Sequence, residues 1–191
     1  VSLGLLERNG SGDTGIYSNT PETRLFLDKS SPQYVGGMLE MANARLYGFW
    51  SDLTPALLTG KPQNELKTNG VSMFEELYAD PRRMEQFVDA MSGISTGNFA
   101  AFAEKFDFSN YQTHVDIGGA AGLLSMMVVH HNPNMTSVTC DLPNVSKIAA
   151  ARITEKGLGE RITAVPLDFL KDEFPKADVV TMGMILHDWN L

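Results

Sequence analysis

The apolar and polar positions of the chain follow two regimes that meet near Tyr111. Before it, short runs and helical spacings alternate irregularly. "LGLLERNGSGDTGIYS" (3–18) places two β-type runs around a Gly/Asn/Asp/Ser-rich turn, a hairpin pattern. "NTPETRLFLD" then predicts a helix, with Thr20 as N-cap, Pro21 in the first helical position and Glu22 in the first turn. A hairpin beside helices fits the wing of a winged-helix module, or equally any small α+β hairpin. From Tyr34 to Leu58, Met38, Met41, Leu46, Phe49, Trp50 and Leu53 recur at roughly helical spacing. They read first as plain core, with a hydrophobic substrate pocket or a dimer interface as the other uses. Residues 59–70 form a polar Gly/Pro-bearing connector. A helix ends near Ala79, and Asp80-Pro81 opens another that runs to about Phe106, weakened by Gly93 and Gly97.

After Tyr111 the pattern becomes strictly alternating. "THVDIG", "TSVTCD", "RITAVPLD" and "KADVVTMGMIL" read as strands, separated by helices at 121–131 and in "VSKIAAARITEKG". Strands alternating with helices of this length predict right-handed βαβ units and a parallel sheet. The fold class expected is therefore α/β, preceded by a mostly helical region.

Composition narrows the partners. The 191 residues are 43% hydrophobic and 20% charged, ordinary for a globular protein with a core. A formal charge of −8 argues against nucleic acid or an anionic membrane, both of which need a basic face. Residues 1–33 balance Arg8, Arg24 and Lys29 against Glu7, Asp13, Glu22 and Asp28, so a DNA-reading module lacks its footprint. The single cysteine, Cys140, has no partner for an internal disulfide, and a reducing cytoplasm is the expected setting. No run is long enough to span a bilayer as a helix, and no export signal is expected. The chain starts at Val1 and stops at Leu191 without a closing element, which reads as a fragment.

The chemistry gathers at the expected strand ends. Asp116-Ile117-Gly118-Gly119-Ala120-Ala121-Gly122 is a strand–turn–helix loop without the Gly-Lys-Ser/Thr of a phosphate loop and without G-x-G-x-x-G spacing. Asp116 would repel a pyrophosphate beside it. A cationic, phosphate-free nucleoside such as S-adenosylmethionine fits better, although such a loop alone also suits a purely structural turn. Asp141 ends the second strand, where a carboxylate can accept both hydrogen bonds of a ribose diol; it could also cap the helix that follows. Asp168 and Phe169 end the third, where an acid can accept from an adenine amine and a ring can pack on the base. His187 comes just past the fourth, placed to act as general base toward a phenol or similar hydroxyl. His130 and His131, near a helix C-terminus, read as structural, and no spacing resembles a metal site.

The ordered set "VDIGGAAG…CDLPNV…PLDFL…ADVVTMGMILHDWN", with "YSNTPETRLFL" and "FEELYADPRRMEQFVDAM" before it, resembles the S-adenosylmethionine-dependent O-methyltransferases of the caffeic-acid and acetylserotonin type. The resemblance covers nearly the whole chain. It implies a winged-helix-like dimerisation region (1–33, with a helical linker at 34–70) and a Rossmann-like, class I methyltransferase domain from 71 to 191, C-terminally incomplete. It implies S-adenosyl-L-methionine as cofactor, with Asp116, Gly118, Gly119, Gly122, Asp141, Leu142, Asp168 and Phe169 in contact with it. It also implies His187 as the catalytic base, Asp188 and Trp189 beside the pocket, no metal, a homodimer, and a small hydroxylated aromatic or polyketide as substrate. The sequence departs from the family's D-x-G-G-G-x-G at Ala120, and Gly183 stands where many plant members have a lysine. A non-catalytic homologue is the alternative, and a winged-helix regulator a weaker third.

Overall fold

The computed structural model describes residues 1–64 and 73–188. Strands β1 (Leu6–Asn9) and β2 (Ile16–Asn19) pair antiparallel with Leu6 opposite Asn19, as the turn chemistry predicts. Helix α1 (Pro21–Phe26) starts where its cap demands, the Thr23 N–H donating to Thr20 Oγ1 at 3.3 Å. The Thr23 hydroxyl donates in turn to Leu5 O at 2.7 Å, tying helix to hairpin.

The stretch from Gly37 to Thr59 is helical but broken. Helix α2 (Gly37–Met41) passes through a π turn at Ala42–Leu46 into α3 (Tyr47–Phe49), a 3₁₀ turn at Trp50–Asp52 and α4 (Leu53–Thr59). Among the described residues its apolar stripe is only partly core, which narrows the first reading: Met41 is buried and Met38, Leu46 and Phe49 are half-buried, whereas Trp50 is 68% and Leu53 45% exposed. Gly60 ends α4 in a left-handed C-cap, and residues 65–70 of the connector lie outside the described residues.

Helix α5 (Met73–Ala79) precedes α6 (Pro81–Lys105), whose first turn is capped by Asp80 accepting from the Arg82 and Arg83 N–H groups. Gly93 does not interrupt α6. A side chain there would come within 3.0 Å of Tyr34 O, so glycine allows a neighbouring segment to approach closely. The chain divides into two compact units, Val1–Met73 with Asp89–Ile94, and Phe74–Val88 with Ser95–Leu191.

The second unit holds strands β3 (Thr113–Ile117), β4 (Thr136–Asp141), β5 (Ile162–Pro166) and β6 (Val179–Thr181), all parallel, in the order β5-β4-β3-β6. Strand β6 is shorter than the sequence predicts, and the chain turns just beyond it, with Met184 at a φ of +61°. Helices α7 (Leu123–His131) and α8 (Pro143–Glu155) join β3 to β4 and β4 to β5. Both crossovers move the chain the same way along the sheet, so both helices cover one face. There Leu124 and Val128 pack with Val179, and Ala149 and Ile153 pack with Ile162. The opposite face carries Val115, Ile117 and Cys140 against Leu167 and Phe169. Among the described residues, no helix is long and apolar enough to cross a membrane.

Candidate active site

The strand order reverses between β3 and β6, and open parallel sheets bind ligands at the carboxyl ends of the strands flanking such a reversal. Asp116, Asp141, Asp168 and His187 all come from that end: Asp116 from β3, Asp141 from β4, Asp168 just after β5, and His187 from the 3₁₀ turn Leu186–Asp188 that follows β6. His187 is exposed. Trp189 lies outside the described residues.

The loop after β3 is built on left-handed backbone at Gly118, Ala120 and Gly122, with φ of +71°, +48° and +77°. Alanine at the middle position therefore carries strain that glycine there would avoid. Most loop amides already have protein acceptors. Gly118 and Gly119 N–H groups donate to Cys140 O at 2.8 and 3.0 Å, Ala120 N–H to Asp141 Oδ2 at 2.9 Å, and Gly122 N–H to Gly119 O at 2.8 Å. A phosphate cradle needs such amides aimed at the ligand, and here they are committed inside the protein. Glycine is required at 119, where a Cβ would collide with Thr139 Oγ1 and Asp116 Oδ2.

The two innermost acids differ in setting. Asp116 is 3% exposed and accepts the Thr181 hydroxyl at 2.7 Å through Oδ1. Burial pushes its carboxyl up to about 7, with Asp141 adding to the rise against the pull of Thr181. Asp141 is half-buried; burial raises it too, opposed by the N–H groups of Ala120 and Leu142. Its Oδ1 accepts from Leu142 N–H at 2.7 Å. Leu142, rather than Asp141, is the N-cap residue of α8, with no side-chain capping bond there, so the helix-cap role weighed for Asp141 is not the one observed. One amide on each oxygen leaves lone pairs for a ligand diol. Asp168 is held below its ordinary range by the Lys171 ammonium, 2.7 Å from Oδ2, and by Leu170 N–H. Phe169 packs on the apolar sheet face with Leu167 and Ile117.

Sequence reasoning missed the polar side chains beneath this loop. His114, Ser137, Thr139 and Thr181 lie on the same sheet face as Asp116 and, with Ser125 of α7, are largely buried. The signal was the alternation in "THVDI" and "TSVTCD", which puts polar groups on the face that two helices cover. Thr139 Oγ1 is buried without a hydrogen-bond partner among the described residues, beside the Gly119 gap. His130 and His131 sit exposed in the last turn of α7, away from the strand ends. Among the described residues, no group of three or more His, Cys, Asp or Glu could hold a metal ion.

These features fit a nucleoside ligand that carries positive charge and no phosphate: two acids bracket the loop, most of its amides are committed, and a buried hydroxyl adjoins it. They define an α/β fold of the class I methyltransferase kind. The chain belongs to the O-methyltransferase domain family, which matches residues 50–191.

It is 35% identical over 191 residues to the tetracenomycin polyketide synthesis 8-O-methyl transferase of Streptomyces glaucescens, covering 100% of this chain and 54% of that protein. It is 33% identical over 189 residues to an N,N-dimethyltransferase of Streptomyces rimosus, covering 99% and 54%. Human N-acetylserotonin methyltransferase, solved in complex with SAM (S-adenosylmethionine), superposes with a TM-score of 0.87 at 29% identity, covering 99% of this chain and 55% of that one. The chain thus spans about half the length of the curated relatives it matches. These relatives are methyltransferases, which gives no support to the non-catalytic alternative.

Proposed function

We propose that the protein transfers a methyl group from S-adenosylmethionine to a hydroxyl of a small aromatic or polyketide-like molecule. The observation that carries this reading is the loop after β3, where the Gly118, Gly119, Ala120 and Gly122 amides are committed internally while Asp116 and Asp141 stand beside it. The cofactor supplies an electrophilic sulfonium methyl. Asp141 accepts from the ribose diol, Asp116 offsets the ligand's positive charge, Gly118, Gly119 and Gly122 let the backbone lie close, and Leu142, Asp168 and Phe169 border the base. His187 takes the proton from the acceptor hydroxyl as its oxygen attacks. The remainder of the acceleration is positioning, worth on the order of 7–11 kcal/mol where two reactants are well oriented.

Domain boundaries near residues 33 and 70, a homodimer formed through the N-terminal half and a cytoplasmic setting belong to the same proposal. The partly exposed apolar stripe of residues 37–59 supports the dimer, and the reduced, buried Cys140 supports the compartment. The N,N-dimethyltransferase relative favours one second reading, an amine acceptor.

The test is methyl transfer by the full-length protein to a panel of phenols and aromatic amines. Turnover of a phenol with a high pKa should fall by about 10²–10⁴-fold in His187→Ala with cofactor affinity retained, the range for positioned acid–base catalysis. Wild-type turnover in that variant overturns the base assignment. Turnover of amines alone favours the second reading.

A further inference from the structure

Beneath the loop, five side chains form a continuous hydrogen-bonded line. Ser125 Oγ lies 2.8 Å from Ser137 Oγ, and Ser137 Oγ lies 2.8 Å from His114 Nδ1. His114 Nε2 lies 2.9 Å from Thr181 Oγ1, which lies 2.7 Å from Asp116 Oδ1. Each hydroxyl has one proton to give, and a neutral imidazole has one N–H. An ionised Asp116 can only accept, so the line then points one way along its whole length; Thr181 Oγ1 has Val115 O, 3.5 Å away, as its other, weaker acceptor. His114 is 1% exposed, and burial pulls it down to about 4, so it stays neutral near pH 7.

We infer that His114 is a positioning residue of the cofactor site, the centre of a buried relay whose direction follows the charge on Asp116. With Asp116 ionised, Thr181 donates to the carboxylate, so Nε2 carries the imidazole proton and Ser137 donates to Nδ1. With Asp116 protonated, the acid donates to Thr181, Thr181 donates to Nε2, and the imidazole proton sits on Nδ1. The change adds one proton, taken from water, to Asp116. The imidazole gives its Nε2 proton to water and takes one back at Nδ1, each hydroxyl turns and keeps its hydrogen, and the imidazole stays neutral. Among the described residues, Asp141 of β4 is the other titratable group that faces Asp116 besides His114; Cys140 of β4 lies on the opposite sheet face, where its thiol still feels both acids. Burial pushes the Cys140 thiol up to about 11, which keeps it protonated through neutral pH. A cationic ligand at the loop favours the ionised acid and hence one direction of the line. This last step rests on the cofactor reading above.

The experiment is ¹⁵N NMR of the histidine side chains, with His114 assigned by loss of its signals in His114→Gln. The ligand-free protein should show the Nε2–H form at pH 8 and the Nδ1–H form near pH 5.5, and saturating S-adenosylmethionine should move that midpoint to lower pH. One tautomer throughout, while the Asp116 carboxyl titrates by ¹³C NMR, overturns the relay. In binding, His114→Leu should weaken S-adenosylmethionine about tenfold at pH 7 and shift the pH midpoint of affinity upward. His114→Gln, which keeps a donor toward Thr181, should stay within about threefold of wild type. An unchanged midpoint in a folded His114→Leu overturns the positioning role. If wild type binds no S-adenosylmethionine, the cofactor reading fails, and the tautomer titration still decides the relay.

Discussion

The two faces of the parallel sheet solve the problem of burial in different ways. On one, Val115, Ile117 and Cys140 meet Leu167 and Phe169, so removal of apolar area from water is the stabilising term. On the other, helices α7 and α8 cover a row in which His114, Asp116, Ser137, Thr139 and Thr181 replace the expected hydrocarbon. Buried polar groups are tolerable when their hydrogen bonds are made, and four of these five are joined to one another or to Ser125. The apolar face is adaptable filling. The polar face is a set of mutual obligations, sensitive to pH and to the loss of any single member.

Five substitutions test that contrast, starting with the largest effect. On the apolar face, Ile117→Ala should cost about 2–5 kcal/mol, as for buried large-to-small changes, and by the same amount at every pH. A urea titration series across pH checks both the size and the flatness.

On the polar face, the effect should depend on pH and change sign with the residue removed. Asp116 titrates at about 7 in the folded protein against an ordinary 3.8, so its contribution to ligand-free stability is full below pH 3.8 and lost as pH rises toward 7. His114 titrates at about 4 against 6.5, so its contribution is full above pH 6.5 and lost as pH falls toward 4. These slopes oppose each other over nearly the same window. Relative to wild type, Asp116→Asn should lose stability as pH falls through it, and His114→Gln as pH rises, each by on the order of 3 kcal/mol. Slopes of one sign in both variants would break the contrast.

At the margin of the polar face, Asp141→Ala should weaken S-adenosylmethionine by about 1.5–3 kcal/mol, the range for hydrogen bonds to a charged group. Calorimetry with the folded variant measures it, and unchanged affinity would remove Asp141 from the cofactor contacts. Smallest is Val180→Thr. Its side chain lies on the apolar face but is 48% exposed, so stability should move by no more than about 0.5 kcal/mol.

Much of this architecture is legible in the sequence because it is locally encoded. Thr20-Pro21 and Asp80-Pro81 mark helix starts through caps a few residues long, and the hairpin turn is likewise local. The acids at the strand ends are legible because strand, turn and helix follow in order. The relay was not, since it joins residues 23 and 67 positions apart whose pairing depends on sheet register. The stripe at 37–59 misled in part, for the opposite reason. Helical spacing of Trp50 and Leu53 shows that a face is apolar, but spacing does not say what covers it. Strand β6 was overextended because nothing local announces a left-handed Met184.

Asp141 holds the amide of Ala120 on one oxygen and that of Leu142 on the other. Loop and helix start are thereby clasped by the side chain that is proposed to hold the ribose. A clasp of this kind ties the loop to the ligand site, since the Ala120 amide leaves its place only by giving up the carboxylate. Deuterium uptake at the Ala120 amide then becomes a local gauge. It reports how large a fraction of the time the clasp is open, and it slows for an occupant that holds Asp141 in place.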